Sequence, residues 1–215
     1  MMISTIGYEE MVRMLRGAVS QIRDNHEMLS KLDSVGGDGD HGTTMLRAMT
    51  HLEQAVDSCA SHDVKTLLND VGWAIMGVDG GATGPLLGTF FMSTGEGLSD
   101  SASLDAPALL AAFAAGLAGV QAQTKAKVGD KTMIDALVPA VEALRAAVEA
   151  GSGVTDALRA AADGAAQGAA STKEMQARFG RAKNIKEQSI GTQDPGATSV
   201  SLIFRGFLKG VESNA

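Results

Sequence analysis

The sequence predicts an all-α fold, and three observations carry the prediction. Apolar residues recur at three- and four-residue steps through almost the whole chain, no segment alternates with period two, and aromatic residues make up only 4%, which leaves strands little support. With 215 residues and 45% hydrophobic content, the chain is expected to form one well-buried domain over 1–215, and two domains would be cramped.

Met11, Val12, Leu15, Val19, Ile22, Leu29 and Leu32 make Tyr8 to Asp33 one long amphipathic helix. The second helix runs from about Thr43 to Cys59, with Met45, Leu46, Met49, Leu52 and Val56 as its apolar positions. The third spans Asp63 to Met76 and places Leu67, Leu68, Val71 and Ile75 on one face. Gly80-Gly81-Ala82-Thr83-Gly84-Pro85 breaks the chain, and Pro85 suits the first turn of a fourth helix through Leu98. Asp105 caps a fifth helix to about Lys125. Met133 to Ala150 is the sixth, Thr155 to about Ala177 an Ala-rich seventh, and Ala197 to about Val211 the eighth, after a polar loop from Arg178 to Gly196.

Eight amphipathic helices with short connections pack most simply as antiparallel neighbours, in an up-and-down barrel or bundle. Alternate loops then lie at the same end. Loops 1–2, 3–4, 5–6 and 7–8 share one end, and these loops hold the glycine clusters Gly36 to Gly42, Gly80 to Gly84, Gly129 and Gly191 to Gly196, beside Asp, Thr, Lys and Arg. Loops 2–3 and 4–5, at the other end, are ordinary Ser/Asp/His turns. The parity of the loops therefore predicts a single composite site at one rim.

Within that rim, Leu32 to Thr44 holds Asp33, Asp38, Asp40, four glycines, His41 and three hydroxyls. Asp38 and Asp40 point to the same side of an extended loop, and Asp33, at the end of the first helix, can converge on them. Hard oxygen ligands of this kind suit Mg²⁺. The helix that follows opens beside them, and a helix N-terminus next to cations is where a nucleotide's phosphates are most stable. The bland alternative is a Gly/Asp turn. Two sharper motifs fail. An EF-hand loop from Asp38 would need Glu where Met49 stands, and Gly129-Asp130-Lys131-Thr132 lacks the Gly-Lys-Ser/Thr step of a Walker A loop.

The other loops offer complementary groups, each with a plain alternative. Gly80 to Gly84 can cradle phosphate with backbone N–H groups and the Thr83 hydroxyl, or simply connect helices. Lys131 and Thr132 can meet phosphate, or start a solvated helix. Met133 can line an apolar pocket for a base, or belong to the core. Arg181 can clamp phosphate, or lie free on the surface. His41 can bind phosphate or orient a ligand, or be exposed. Asp194 to Ser199 can be a turn and an N-cap.

A net charge of −7 and a pI near 5.0 argue against nucleic acid or an acidic membrane as partner, since both need clustered positive charge. Cys59 is the only cysteine, which excludes an internal disulfide framework and fits a reducing compartment. The most apolar run, Ala106 to Val120, is shorter than a membrane span and reads as a buried helix. Glu9 and Glu10 precede any long apolar core, unlike a signal peptide, so a cytoplasmic protein is expected.

Taken together, Asp33…Gly37-Asp38-Gly39-Asp40-His41-Gly42, Gly80-Gly81-Ala82-Thr83-Gly84-Pro85-Leu86-Leu87-Gly88-Thr89-Phe90-Phe91, Gly129-Asp130-Lys131-Thr132-Met133, Met175-Gln176-Ala177-Arg178 and Ser189-Ile190-Gly191…Asp194-Pro195-Gly196-Ala197-Thr198-Ser199 resemble the nucleotide-binding L subunit of dihydroxyacetone kinase. The resemblance covers essentially the whole chain, in order. It implies an eight-helix antiparallel barrel with ADP or ATP at one rim, and two Mg²⁺ ions held by Asp33, Asp38 and Asp40. It further implies nucleotide contacts from His41, Gly42, Thr43, Thr44, Ala82, Thr83, Met133, Arg181, Asp194, Pro195 and Gly196. Thr83 stands where the family often has Ser, Thr44 where Asn is common, and Thr124, another nucleotide-side position, where Gly is common. The segment Arg181 to Ser189 departs further: after its Arg the family usually reads Ala-Ser-Tyr-Leu-Gly-Glu-Arg-Ser.

The resemblance implies a kinase subunit that transfers a phosphoryl group to a ketose held on a separate K-type subunit, with Arg181 stabilising the transferring charge. It admits either exchanging ATP or a bound ADP recharged by a phosphotransferase-system protein, and it leaves homo-oligomerisation open. Two rival functions follow from the residues: a Mg²⁺-dependent helical hydrolase, and a nucleotide-dependent partner-binding protein without catalysis.

Overall fold

The computed structural model describes residues 3–98 and 103–213. Its helices are α1 (Tyr8–Asp33), α2 (His41–Ser58), α3 (Val64–Met76), α4 (Thr83–Glu96), α5 (Ala106–Gln123), α6 (Ile134–Glu149), α7 (Val154–Ser171) and α8 (Pro195–Glu212), with 3-10 turns at Thr172–Glu174 and Arg181–Ser189. Among the described residues the one extended pairing is an isolated bridge, Ile6 to Leu104. It ties the segment before α1 to the start of α5.

Each helix packs on the next in the chain, and α8 returns to pack on α1, so the contacts close into a ring. Small residues set how closely the elements approach. A Cβ added at Gly206 of α8 would lie 2.4 Å from the Ala18 Cα of α1, and one at Gly168 of α7 would lie 2.0 Å from the Asp135 carbonyl oxygen of α6. Inside, Phe90, Phe91, Phe113, Phe204 and Phe207 meet mostly edge to face, with ring centroids 5.5 to 6.4 Å apart. α5 is long and apolar enough to cross a membrane by length and composition alone. It packs against α4 and α6, with Leu109, Phe113, Gly116 and Val120 buried.

The helix boundaries depart from periodicity mainly at the rim. α2 begins at His41, two residues before the expected Thr43, and α8 begins at Pro195 because the Asp194 carboxylate accepts the Ala197 N–H at 2.7 Å. α4 ends at Glu96 rather than Leu98, and α5 stops at Gln123 where Thr124 turns extended. α7 ends at Ser171, short of the expected Ala177. There Thr172 is fully buried, donating its hydroxyl to the Ala169 carbonyl at 2.6 Å, and the Ala177 N–H goes to the Ser189 hydroxyl instead of a helix carbonyl. The segment expected as a plain polar loop contains a 3-10 run broken at Lys186, whose φ is 49°.

Candidate functional site

A cavity of about 310 Å³ opens at the rim. Its walls come from all of the loops singled out by parity: 32–44, 80–86, 124–134 and 179–196. An up-and-down chain starts every even-numbered helix at this end. His41, Thr83, Ile134 and Pro195, the first residues of α2, α4, α6 and α8, all line the cavity. Four helix N-termini thus bring partial positive charge to one space, which favours an anion, although Thr132 already takes the Ile134 and Asp135 N–H groups of α6 and Asp194 the Ala197 N–H of α8. The loop parity that gathers the glycine clusters places all four of these helix starts at the same end.

The carboxylates stand at the opposite pole of a helix dipole, the C-terminus of α1. The Gly36 and Gly37 N–H groups fold back on the Asp33 carbonyl at 3.1 and 2.6 Å, and Gly39 takes φ 77°. This tight turn brings one oxygen each from Asp33, Asp38 and Asp40 within 4.8 Å of one another. Arg181 reaches across from the lid: its guanidinium lies against the Asp38 carboxylate, and Nη1 is 3.9 Å from Asp40. Desolvation and the hydrogen-bonded, negatively charged Asp38 push the Asp40 carboxyl up. Asp38 goes the other way: its slight desolvation is outweighed by backbone N–H groups, Asp40 and Arg181, which hold it below its usual range. Three hard oxygen donors this close, already drawing a guanidinium, fit a divalent cation such as Mg²⁺.

His41 is buried, and its Nε2 lies 2.8 Å from the Ser199 hydroxyl of α8. Burial lowers its pKa against the opposing pull of Asp33 and the Pro195 backbone, so the imidazole is neutral at neutral pH. Ser199 was not anticipated as a functional group, though a serine on the apolar face of α8 was the available signal. Thr44 is also buried and lies under Gly80, where a Cβ would come within 2.5 Å of its hydroxyl. Gly80 has φ 137°, so glycine alone fits there. Gly42 and Thr43 do not line the cavity. Gly42 lets α2 touch α1, since a Cβ there would be 1.8 Å from the His26 carbonyl oxygen, and Thr43 is exposed. Asp38 stands outside the cavity wall, although its partner Arg181 lines it.

Ala82 precedes α4 and accepts the Leu86 N–H at 3.1 Å, which presents Thr83 at the cavity. Thr124 accepts the Ala126 N–H at 3.1 Å, turning the chain at the end of α5. Met133 is buried, and with Leu32, Leu86, Phe179 and Ile185 it gives the cavity an apolar side. Such a side suits a flat ring better than a phosphate.

Lys131 lines the cavity, but its amine is turned to the backbone. Its Nζ donates to the carbonyl oxygens of Thr172 at 2.7 Å and Thr192 at 2.5 Å. Asp135 accepts the Gly129 N–H at 2.6 Å and the Thr132 N–H at 2.7 Å, and Thr172 accepts the Asp194 N–H at 2.8 Å. The spacing Thr132-x-x-Asp135 is a capping signal that could have disclosed this pair. Burial, with Asp135 nearby, pushes the Asp194 carboxyl up to about 7, against the N–H groups of Ala197 and Gly196 and the charge of Lys131. Burial likewise lowers Lys131. Desolvation outweighs the attraction between the two. Pro195 and Gly196 complete the first turn of α8 at the cavity wall.

The DAK2 domain pattern matches residues 35–209. The chain is 42% identical over 179 residues to the ADP-binding subunit DhaL of the PEP-dependent dihydroxyacetone kinase of Escherichia coli, covering 83% of this chain and 85% of that protein. It is 35% identical over 198 residues to the ADP-binding subunit DhaL of PEP-dependent dihydroxyacetone kinase 1 of Listeria innocua, covering 92% and 94%. The fold superposes on the dihydroxyacetone kinase of C. freundii in complex with AMP-PNP and Mg²⁺ with a TM-score of 0.70 and 26% identity, covering 92% of this chain and 33% of that one. This chain thus spans about a third of the larger kinase.

Proposed function

The chain belongs to the DAK2 domain family, and from that membership we propose that it is the nucleotide-binding, phosphoryl-transferring subunit of a dihydroxyacetone-type ketose kinase, a single domain working in the cytoplasm. The observation that carries the reading is the convergence of four helix N-termini on one cavity with a carboxylate cluster and an arginine at its mouth. A nucleotide has matching parts. Its phosphates meet the N–H groups and hydroxyls at the starts of α2, α4 and α8, and its base meets the apolar side around Met133.

Asp33, Asp38 and Asp40 would hold two Mg²⁺ ions, which when bound neutralise the phosphates and the charge that develops in transfer. Arg181, on the lid, donates from its planar fork to the transferring group. His41, Thr44, Thr83, Thr124 and Asp194 to Gly196 position the rest of the nucleotide. The terminal phosphoryl group passes to a hydroxyl of the ketose and leaves ADP behind. The hydroxyl's proton goes to a base on the partner, since no general base is assigned to this chain. The donor is either ATP that exchanges or a tightly held ADP recharged by a phosphotransferase-system protein, and both use the same site.

The ketose is held by a separate K-type subunit, because the cavity's polar groups are occupied by metal and nucleotide. Lys183 and Lys186 are exposed beside Arg181 on the outer side of the lid and select the partner, since rim charges act mainly on association rate and specificity. The test has two arms. At a hundred times Kd, ADP with Mg²⁺ stabilises a protein that binds it only when folded by about 2.7 kcal/mol, a melting shift of about 5–10 °C at this length, and ketoses alone give none. The isolated chain phosphorylates neither dihydroxyacetone nor erythrulose, and gains activity when its K-type partner is added. Ketose kinase activity from the chain alone, or a shift induced by ketose without nucleotide, overturns the division of labour.

A further inference from the structure

Lys131 sits where the loop between α5 and α6 meets two other elements, and its backbone pays for the position: φ is 60°, the left-handed region that a lysine seldom enters. The side chain is 4% exposed. Its ammonium is spent on two carbonyls far apart in sequence, Thr172 at the C-cap of α7 and Thr192 just before α8. These carbonyls stand at the two ends of the lid-bearing segment 173–191. The same two ends are tied again nearby, by Gly191 N–H to the Lys173 carbonyl at 2.7 Å and by Asp194 N–H to the Thr172 hydroxyl at 2.8 Å. Asp135, itself buried, holds the loop carrying Lys131 by the N–H groups on either side of it, at Gly129 and Thr132.

We propose that Lys131 is a positioning residue: its ammonium pins both ends of the Arg181-bearing lid, and with them the first turn of α8, to the start of α6. The lysine acts on ligand through this frame and not by touching phosphate. The Thr172 carbonyl, in a fully buried residue, also takes the Met175 N–H at 3.1 Å, whereas partly buried Thr192 has the ammonium as its donor, so removing the ammonium strips one bond from each end of the segment and leaves Asp194 without the charge of Lys131. The frame then opens at the base of the lid, where Arg181 is hung, and at Asp194 to Gly196. The inference rests on the nucleotide reading of the cavity for its functional consequence, but not for its structural one.

Lys131→Met keeps the length of the side chain and removes the three donors. The first measurement is amide hydrogen exchange on the full chain without metal or nucleotide. Protection at Ala177, Gly191 and Asp194 is expected to fall at least tenfold, with α1 and α3 unchanged relative to global stability. The second is ADP affinity in saturating Mg²⁺, expected to fall at least tenfold. In the kinase reconstituted with its K-type subunit, kcat falls while KM for the ketose, set on the other subunit, stays within twofold. Leu158→Ala, on the buried face of α7 away from the rim, supplies a variant of lowered stability that should keep both the protection pattern and the ADP affinity. If Lys131→Met does not fold, Lys131→Gln, which keeps a polar end at shorter reach, is expected to show the same pattern of lost protection. Unchanged protection at these amides overturns the proposal, and unchanged protection with lost ADP affinity would make the lysine a direct phosphate ligand. If the wild-type chain binds no ADP, the nucleotide reading fails while the exchange pattern still decides whether Lys131 holds the frame.

Discussion

The guanidinium of Arg181 lies directly against the carboxylate of Asp38, 143 positions away in sequence, and spans toward Asp40. One cation thus stands on the two carboxylates best placed to hold another. On the proposed reading, a metal ion would compete with Arg181 for the same oxygens until a nucleotide offered the arginine its phosphates.

From this competition, Arg181→Ala is expected to bind Mg²⁺ more tightly than wild type in the absence of nucleotide, by about fivefold, the scale of an exposed ion pair. Titration calorimetry with MgCl₂ measures it. In the reconstituted kinase the same variant should lose about 10³-fold in turnover if the arginine clamps the transferring group. Near-normal turnover would remove Arg181 from that role.

Nucleotide binding should require divalent metal, because carboxylates and phosphates otherwise repel across the mouth of the cavity. ADP affinity measured with EDTA is expected to be lost, and an affinity that EDTA leaves unchanged rules out the carboxylates as a metal site. Asp38→Asn and Asp40→Asn should abolish transfer while leaving the urea midpoint of unfolding nearly unchanged, since neither side chain packs in the core.

Asp194 makes stability depend on pH. Its folded pKa of about 7 lies above the usual carboxylate value, so the folded state binds the proton more tightly than the unfolded state. Its contribution is fully present below about pH 4 and is lost as pH rises through 7. Between pH 5 and 8 the loss is about 2–3 kcal/mol. Asp194→Asn, which keeps an oxygen for the Ala197 N–H, should flatten this dependence in urea titrations at the two pH values. A wild-type chain equally stable at pH 5 and 8 would contradict the assignment.

Gly206→Ala should be among the costlier single changes away from the rim. The added methyl meets α1 backbone at 2.4 Å, and backbone on both sides leaves no side chain to yield. Overpacking of this kind costs about 3 kcal/mol, readable as a lower urea midpoint with an unchanged slope. A neutral effect would mean that α1 and α8 can separate without loss.

Much of this molecule is readable without coordinates, and for a definite reason. A 3.6-residue period is a local property, so Leu67, Leu68, Val71 and Ile75 announce the buried face of α3 whatever the helix packs against. Loop parity is a property of chain order, so the four glycine-rich loops could be gathered at one rim before any contact was known. Asp33, Asp38 and Asp40 lie within eight residues of one another, and a short turn can hardly keep them apart.

What needed the tertiary structure was the direction of each long or shared side chain. Lys131 has four rotatable bonds and could serve phosphate, solvent or a carbonyl. The choice fell to the carbonyls of Thr172 and Thr192, brought to it from 41 and 61 positions away. The Ser199 hydroxyl faces His41 only because α8 packs beside the start of α2, and Gly42 went to the α1 contact for the same kind of reason. Sequence alone determined the helices, the rim and the kinds of group collected there, because period, order and short loops are local. Which of those groups face the cavity and which hold the frame was decided only when distant helix ends, with their unsatisfied N–H and C=O groups, met in one place.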